Sequence, residues 1–259
     1  MKTYAHGKQT YRQIGKRLGK SGRWVQQQMD LAVVQPRLLE VGDVILVMDT
    51  TYFGKIFGVM VFRCPHRHKN LLWKFLKYET IAEYVSGVKE LQERGWKVTG
   101  IVCDARRGLT SAFPDVPVQM CQFHQVQIVL RYITRNPKLE AGKELKELML
   151  LLTKTDEASF RHWLTLWHEK WKDFLSEKTI DDITKRWHFT HSRLRSAYRS
   201  IETNFPWLFT FEHHPKLGMP NTTNSLEGTF THIKAKIAVH PGLRIDRKQK
   251  LIQELLGGT

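Results

Sequence analysis

The sequence predicts an α/β fold built on a mixed β-sheet, and three observations lead to that prediction. Two short apolar runs rich in β-branched residues, 44–49 and 98–104, are typical of buried strands. Two further strands are expected between them, at 55–62 and 71–78. A helical pattern over 81–94 then leads into the run at 98–104, which predicts a crossover to a parallel strand.

The remaining predicted elements complete the order of strands and helices in the sheet. Gly95 ends the predicted helix in the manner of a C-cap glycine. A short strand near 117–120 and a helix over 122–133 come after the fourth strand, which gives the order βββαβα. This is the order of a ribonuclease-H-like sheet, in which acidic residues come from the first and fourth strands and from a later helix.

The charge of the chain indicates a polyanionic partner. Its 259 residues include 41 Lys and Arg against 25 Asp and Glu, a net charge of +16, which is expected of a nucleic-acid-binding protein. No apolar stretch approaches the roughly 18 residues of a membrane span, and the N-terminus lacks the apolar core of a signal peptide. Three scattered cysteines are too few for a disulfide framework, so we expect a protein of the reducing cytoplasm.

The most basic part of the chain, residues 1–30, predicts a helix-turn-helix within a segment that extends to residue 40. One helix is expected over 10–18, Gly19 ends it, and Ser21 caps a second helix. A helical hairpin without a DNA-binding role is the alternative. The side chains expected to read base edges in the major groove are Arg23, Gln26 and Gln27.

Three carboxylates stand where a phosphodiester-cutting site requires them. Asp49 and Asp104 end the two apolar runs, and Glu227 opens a helix expected from about Ser225. Carboxylates that converge repel one another unless a cation neutralises them, and Mg²⁺ or Mn²⁺ prefers such oxygen ligands. Two ions about 4 Å apart catalyse in-line displacement at phosphorus. The alternative is that each acid is a solvated loop carboxylate.

Further motifs give the chain a family resemblance. They are the Cys-x-x-His of Cys121 and His124, the segment 104–109 and the segment 224–227, and their order is more specific than any one of them. The chain resembles DDE transposases of the Mutator-like and bacterial insertion-sequence group over residues 44–255. The tail at 243–255 is also similar to the ends of such transposases. The resemblance implies a bacterial cytoplasmic protein associated with the nucleoid.

The resemblance implies roles for individual residues. It implies that Asp49, Asp104 and Glu227 bind the metal ions of a ribonuclease-H-like core. It implies that His124 contacts the scissile phosphate or steadies a catalytic acid. Lys234, seven residues after Glu227, falls on the same helix face and is expected to hold DNA phosphate.

Zinc is an open alternative for the Cys-x-x-His pair. A structural zinc site needs four ligands, and the residues that could complete one are Cys64, His66 and His68, on a predicted hairpin loop. The simpler alternative is a buried cysteine beside a hydrogen-bonded histidine.

A long segment separates the second and third acids. Leucines repeat at helical spacing at Leu145, Leu148 and Leu152, and an aromatic stripe follows at Phe160, Trp163, Trp167 and Trp171. We expect the stripe to be packing core rather than a base-stacking platform. The resemblance likewise implies an all-helical insertion here. A basic edge, either DNA-facing or merely solvated, is formed by Arg193, Arg195 and Arg199.

These expectations combine into one predicted organisation. Residues 1–40 form the helix-turn-helix, 41–138 and 221–259 the two parts of the catalytic core, and 139–220 the insertion. The predicted function is transposition, in which double-stranded DNA is cleaved at the ends of an insertion sequence and the freed strand is transferred into target DNA. The protein is expected to act as a homo-oligomer on DNA, without a membrane partner. The alternatives are an inactive or truncated transposase-derived DNA-binding protein, and a ribonuclease or junction resolvase.

Overall fold

The structure is a computed structural model that describes residues 2–7, 9–34, 39–104, 106 and 108–257. The strands are β1 Asp43–Phe53, β2 Phe57–Cys64, β3 Lys69–Leu76, β4 Lys97–Cys103, β5 Val118–Met120, β6 Lys178–Ile180 and β7 Trp187–Phe189. The helices are α1 Lys2–Gly7, α2 Tyr11–Leu18, α3 Gly22–Leu31, α4 Ile81–Glu93, α5 Gln122–Ile133, α6 Glu140–Leu151, α7 Glu157–Ser176, α8 Ser192–Leu208, α9 Thr210–His213, α10 Asn224–Ala238 and α11 Ile245–Gly257.

The predicted mixed sheet is present. Within the described residues, five strands form one sheet in the order β3-β2-β1-β4-β5. The first three strands of the chain pair antiparallel, as in a meander, whereas β4 and β5 pair parallel. The chain is therefore an α/β protein with a mixed sheet and many helices, as the sequence predicted.

Two compact units make up the chain, and their limits differ from the predicted segment boundaries at 40, 138 and 220. One unit comprises residues 1–98 together with 224–259, and the other comprises residues 99–223. In the first unit, α4 and α11 pack against β3 and α10 packs against β1. Gly87 lets α4 approach β2 closely, because a Cβ atom at this position would collide with the ring of Phe62.

The N-terminal helices follow the predicted pattern. The Thr10 side chain caps α2 in a capping box, Gly19 ends that helix in the left-handed conformation, and Ser21 caps α3. Val25 and Met29 of α3 are buried, four residues apart on one face of the helix. The two helices pack against each other, and α1 packs against α11.

The second unit has its own core, which confirms the predicted packing role of most of the leucine and aromatic repeats. Its buried members include Leu145, Leu148, Leu152, Phe160 and Trp167. Trp171 is partly buried and donates a hydrogen bond of 2.8 Å from Nε1 to Glu144, whereas Trp163 is 38% exposed.

Two expectations about secondary structure are wrong. Asp49 does not end its strand, because β1 continues to Phe53 and stays in register with β2 as far as the pair Phe53 and Phe57. The segment 139–220 is not all helical, since β6 and β7 form an antiparallel hairpin within it. That hairpin is short and almost wholly exposed, so it lacks the apolar alternation by which strands are predicted.

None of the helices in the described ranges combines the length and the apolar composition that crossing a membrane requires.

Candidate active site and nucleic-acid interface

Asp49 is a buried carboxylate within a paired strand. It lies opposite Val61 of β2, and its side chain is 8% exposed. Its Oδ1 accepts a hydrogen bond of 2.7 Å from the backbone N–H of Thr50. Because the flanking backbone is held by the sheet, the position of this carboxylate is fixed more firmly than that of a loop residue.

A hydrogen-bonded chain leads from the strand position next to Asp49 to a second acid. Thr50 Oγ1 lies 3.0 Å from the Tyr84 hydroxyl, which in turn donates a bond of 2.6 Å to Glu79 Oε1. Burial raises the pKa of Tyr84 well above its usual value, the charge and hydrogen bond of Glu79 add to this, and the charge of Asp49 acts in the same direction. Tyr84 therefore stays protonated and orders the surroundings of Asp49.

Sequence reasoning missed Glu79 and Tyr84. Glu79 directly precedes Thr80, the N-cap of α4, and Tyr84 falls on the buried face of that helix. Both positions are explained by local structure alone, so nothing in their spacing distinguishes them. Only the tertiary fold connects them to Thr50, the residue that follows Asp49.

Glu227 lies in the first turn of α10, as predicted. The helix buries Leu226 and Phe230, and it packs against β1, the strand that carries Asp49. Glu227 itself is half-buried, and a carboxylate in a first turn is favoured by the helix dipole. Lys234 lies two turns further along the same helix with an exposed side chain.

Asp104 follows directly after β4 and is half-buried in the second unit. Arg106, two residues further on, is also half-buried. Ala105 and Arg107 of the same motif lie outside the described residues. The strand end predicted for this acid is thus observed.

The chemistry of the three acids suits a hard cation, because they offer only carboxylate oxygens. Asp49 is buried, and Asp104 and Glu227 are partly exposed. Within the described part of the chain, however, no three His, Cys, Asp or Glu side chains are grouped closely enough to hold a metal ion.

The cysteine of the Cys-x-x-His motif makes structural contacts. Cys121 is fully buried, and its Sγ accepts hydrogen bonds from the backbone N–H and the hydroxyl of Thr223, at 3.2 and 3.4 Å. The next residue reinforces this contact, because Gln122 N–H donates to the Asn221 carbonyl and Gln122 Oε1 accepts from the Asn221 amide. The motif therefore clamps the residues that directly precede α10.

His124 is half-buried in the first turn of α5, with its ring edge-on to Phe123 at a centroid distance of 6.3 Å. Cys64 is buried at the end of β2, and His66 and His68 lie in the turn before β3, as the predicted hairpin required.

The side chains expected to read DNA differ in their exposure. Arg23 and Gln27 are exposed on α3, as predicted. Gln26 is half-buried against the Arg247 guanidinium of α11, and its amide accepts from that group when its oxygen faces the arginine. Gln26 is therefore less outward than the helical spacing indicated.

The three arginines of the expected basic edge also differ. Arg193 donates a bond of 2.8 Å to the Arg131 carbonyl. Arg195 donates to the Leu175 carbonyl and stacks on the Phe189 ring. Arg199 is exposed and lines a cavity beside α8.

Comparisons with known proteins add little. No family model matches the sequence. No curated protein matches at a significant level. Among solved structures, the cryo-EM structure of a simian T-cell lymphotropic virus intasome in complex with the PP2A regulatory subunit B56 gamma contains a chain that is 12% identical to this one, with a TM-score of 0.26. The match covers 54% of this chain and 64% of that chain, somewhat under two thirds, and it is too slight to indicate a shared fold.

Proposed function

We propose that the protein is a DDE-type transposase that cleaves and transfers DNA strands with divalent metal ions on a ribonuclease-H-like core. One observation carries the proposal: a buried carboxylate, Asp49, sits on a paired strand, and the helix that packs against this strand carries Glu227 in its first turn. A buried carboxylate is costly unless a cation or hydrogen bonds compensate it, so such a residue is a candidate for function.

In this proposal Asp49, Asp104 and Glu227 hold the metal ions. When bound, Mg²⁺ or Mn²⁺ supplies the Lewis acidity that activates the attacking oxygen and stabilises the leaving oxygen. Glu227, which is half-exposed, accepts the proton of the attacking water. His124 and Lys234 contact phosphate oxygens of the bound DNA.

The proposed reaction has two steps and no covalent intermediate with the protein. In the first, water attacks the phosphorus at the element end, the bond to the 3′-oxygen breaks, and that oxygen leaves as a 3′-hydroxyl. In the second, this hydroxyl attacks a phosphorus of the target DNA, and the target strand's 3′-oxygen is displaced.

DNA recognition is assigned to the N-terminal helices. Support comes from the net charge of +16 and from α2 and α3, two short helices joined at Gly19, with Arg23 and Gln27 exposed on the second. We assign α2 and α3 to a helix-turn-helix, and most of the second unit to an insertion in the catalytic core. Two element ends must be joined in one reaction, so we propose a homo-oligomer on DNA.

A second candidate function is DNA binding without catalysis. One observation favours it: among the described residues, no three Asp, Glu, His or Cys side chains are grouped so that they could hold a metal ion. Under this alternative, the protein binds element ends through the N-terminal helices and regulates them.

Nicking of a supercoiled plasmid distinguishes the two candidates. The plasmid carries the DNA that flanks this gene, and the reaction is run with MgCl₂ and with EDTA. The transposase proposal requires nicking that depends on Mg²⁺ and is lost in Glu227→Gln. Asp246→Asn, which removes a first-turn acid of α11, is the matched control and must keep full activity. Binding without nicking by the wild type favours the second candidate.

A further inference from the structure

A cavity of about 490 Å³ lies within the second unit, beside α8. Its volume is in the range of small-ligand sites. Its walls come from residues between 106 and 111, from α5 and from one face of α8. The first of these lining residues is Arg106, two positions after Asp104 in the sequence.

One face of α8 supplies most of the lining. Cavity-lining residues recur on this helix every three or four positions, which is the spacing of a single helix face. They are Ser196, Arg199, Ser200, Thr203, Asn204 and Trp207. The face next to it is buried in the core through Ala197, Ile201 and Phe205. The polar face is therefore presented by a helix whose other side is anchored.

The wall is held in place by buried amides. Gln125 is fully buried, donates a bond of 3.2 Å to Ser200 Oγ, and accepts one of 2.8 Å from the Asn204 amide. The end of α8 is fixed in the same way, because the Leu208 carbonyl accepts from both Gln119 and Gln122, at 2.8 and 2.9 Å. The cavity is thus a preorganised surface.

The charge of the lining indicates an anionic ligand. Arg106 and Arg199 line the cavity, and no carboxylate is among its described lining residues. Guanidinium groups bind phosphate through paired N–H donors, and the hydroxyls of Ser196 and Thr203 are further hydrogen-bonding groups of suitable size. A phosphate group is the ligand that this set fits.

Two aromatic side chains indicate the rest of the ligand. Tyr132 of α5 and Trp207 of α8 both line the cavity. Aromatic rings beside a basic surface are the usual means by which proteins hold unpaired bases. The amide of Asn204 lies on the same wall and offers a hydrogen-bonding edge.

We propose that this cavity binds one unpaired nucleotide of a DNA strand, with its phosphate on Arg106 and Arg199 and its base against Trp207. The DNA partner rests on the proposed function. The additional content is that the protein takes a nucleotide out of the duplex, into a cavity lined by Arg106, two positions after Asp104.

The test is binding in EDTA, where no metal-dependent cleavage takes place. The probes are a paired duplex and the same duplex with one unpaired 2-aminopurine, whose fluorescence is quenched by stacking. We expect the unpaired probe to bind about 10-fold more tightly and to be quenched. Arg199→Ala removes the preference, and Trp207→Ala removes the quenching.

Matched control variants show whether an effect comes from the lost side chain or from loss of folding. Lys172→Ala removes an exposed cation of α7 outside the cavity and keeps the preference, and Trp207→Phe keeps a ring and retains the quenching. Equal binding of both probes, or an Arg199→Ala variant with an unchanged preference, overturns the proposal. Free dAMP that displaces the probe at equal concentration shows that a mononucleotide, rather than a strand, is the ligand, and also overturns it. Since the assay contains no metal, these results are independent of the plasmid nicking that tests cleavage.

Discussion

Cys121 of the Cys-x-x-His motif is joined to Thr223, which lies far along the chain, because its thiol accepts two hydrogen bonds from that residue at 3.2 and 3.4 Å. Thr223 directly precedes α10, the helix that carries Glu227. The cysteine therefore has a structural task that requires no metal. It fixes the residues from which the acid-bearing helix begins.

Replacing Cys121 tests that task. Cys121→Ala leaves the buried N–H of Thr223 without its acceptor, so we expect the free energy of unfolding to fall by about 1–3 kcal/mol. Cys121→Ser restores an acceptor and is expected to lose less. Urea unfolding with and without a zinc chelator is the measurement. A wild-type protein that is destabilised by the chelator contradicts the structural account.

Gly87→Ala tests the close approach of α4 to β2. The added methyl group meets the rigid ring of Phe62, so we expect a loss of about 1–3 kcal/mol in unfolding free energy. Gly228→Ala on α10 is the control, because open space surrounds that position and the helix gains about 0.5–1 kcal/mol from alanine. Thermal unfolding of both variants gives the comparison, and equal effects would refute the packing argument.

His240 predicts a dependence of stability on pH. The ring is buried and stacks on Tyr4 at 4.2 Å; burial lowers the pKa of His240 below 6.5, and nearby Lys236 acts in the same direction. The unfolded chain then takes up this proton at a higher pH than the folded chain does. The contribution is complete above about pH 6.5 and is lost as the pH falls through the lower, folded value.

The check is the difference between two unfolding curves measured from pH 8 to pH 5. Wild type is expected to lose stability more steeply below pH 6.5 than His240→Phe, which keeps a ring against Tyr4 but has no proton to bind. Parallel curves would show that His240 is not the group responsible.

The contact between α3 and α11 predicts that α3, the helix proposed to read DNA, is held in position by α11. Arg247 donates bonds of 2.8 and 2.7 Å to the two carboxylate oxygens of Asp30, and Lys250 donates to the carbonyls of Met29 and Asp30 at the end of α3. We expect Arg247→Ala to raise amide hydrogen exchange in α3 and to weaken DNA binding. Arg244→Ala, which removes an exposed arginine near the same helix, should leave both unchanged.

Secondary structure was predictable where one short-range pattern decided it. The predicted helix at 122–133 matches α5, and the turn at Gly19 is observed, because apolar spacing and capping residues act locally. The extension of β1 over 50–53 was not, because the apolar run stops at Asp49 and a hairpin turn ending at Gly54 was expected directly after it. Thr51 and Phe53 are nevertheless buried by pairing with β2.

In the candidate site, too, some positions were predictable from the sequence and others were not. The positions of Asp104 and Glu227 at element ends followed from local sequence, whereas the network of Glu79 and Tyr84 depends on α4 packing beside β1 and β2. The cavity beside α8 was equally inaccessible, because it exists only when residues some 90 positions apart, such as Arg106 and Arg199, line one space. Spacing along the chain carries no information about such pairs.

The most direct test of the account is strand cleavage by Asp49→Asn. This change keeps the size of a buried side chain and removes its charge, so we expect Mg²⁺-dependent cleavage to fall roughly 1000-fold, the scale of several kcal/mol of transition-state stabilisation, with DNA binding unchanged. Asp43→Asn, at the exposed start of the same strand, is the control and should cleave normally. An Asp49→Asn protein that cleaves at the wild-type rate contradicts the assignment of this carboxylate to metal binding.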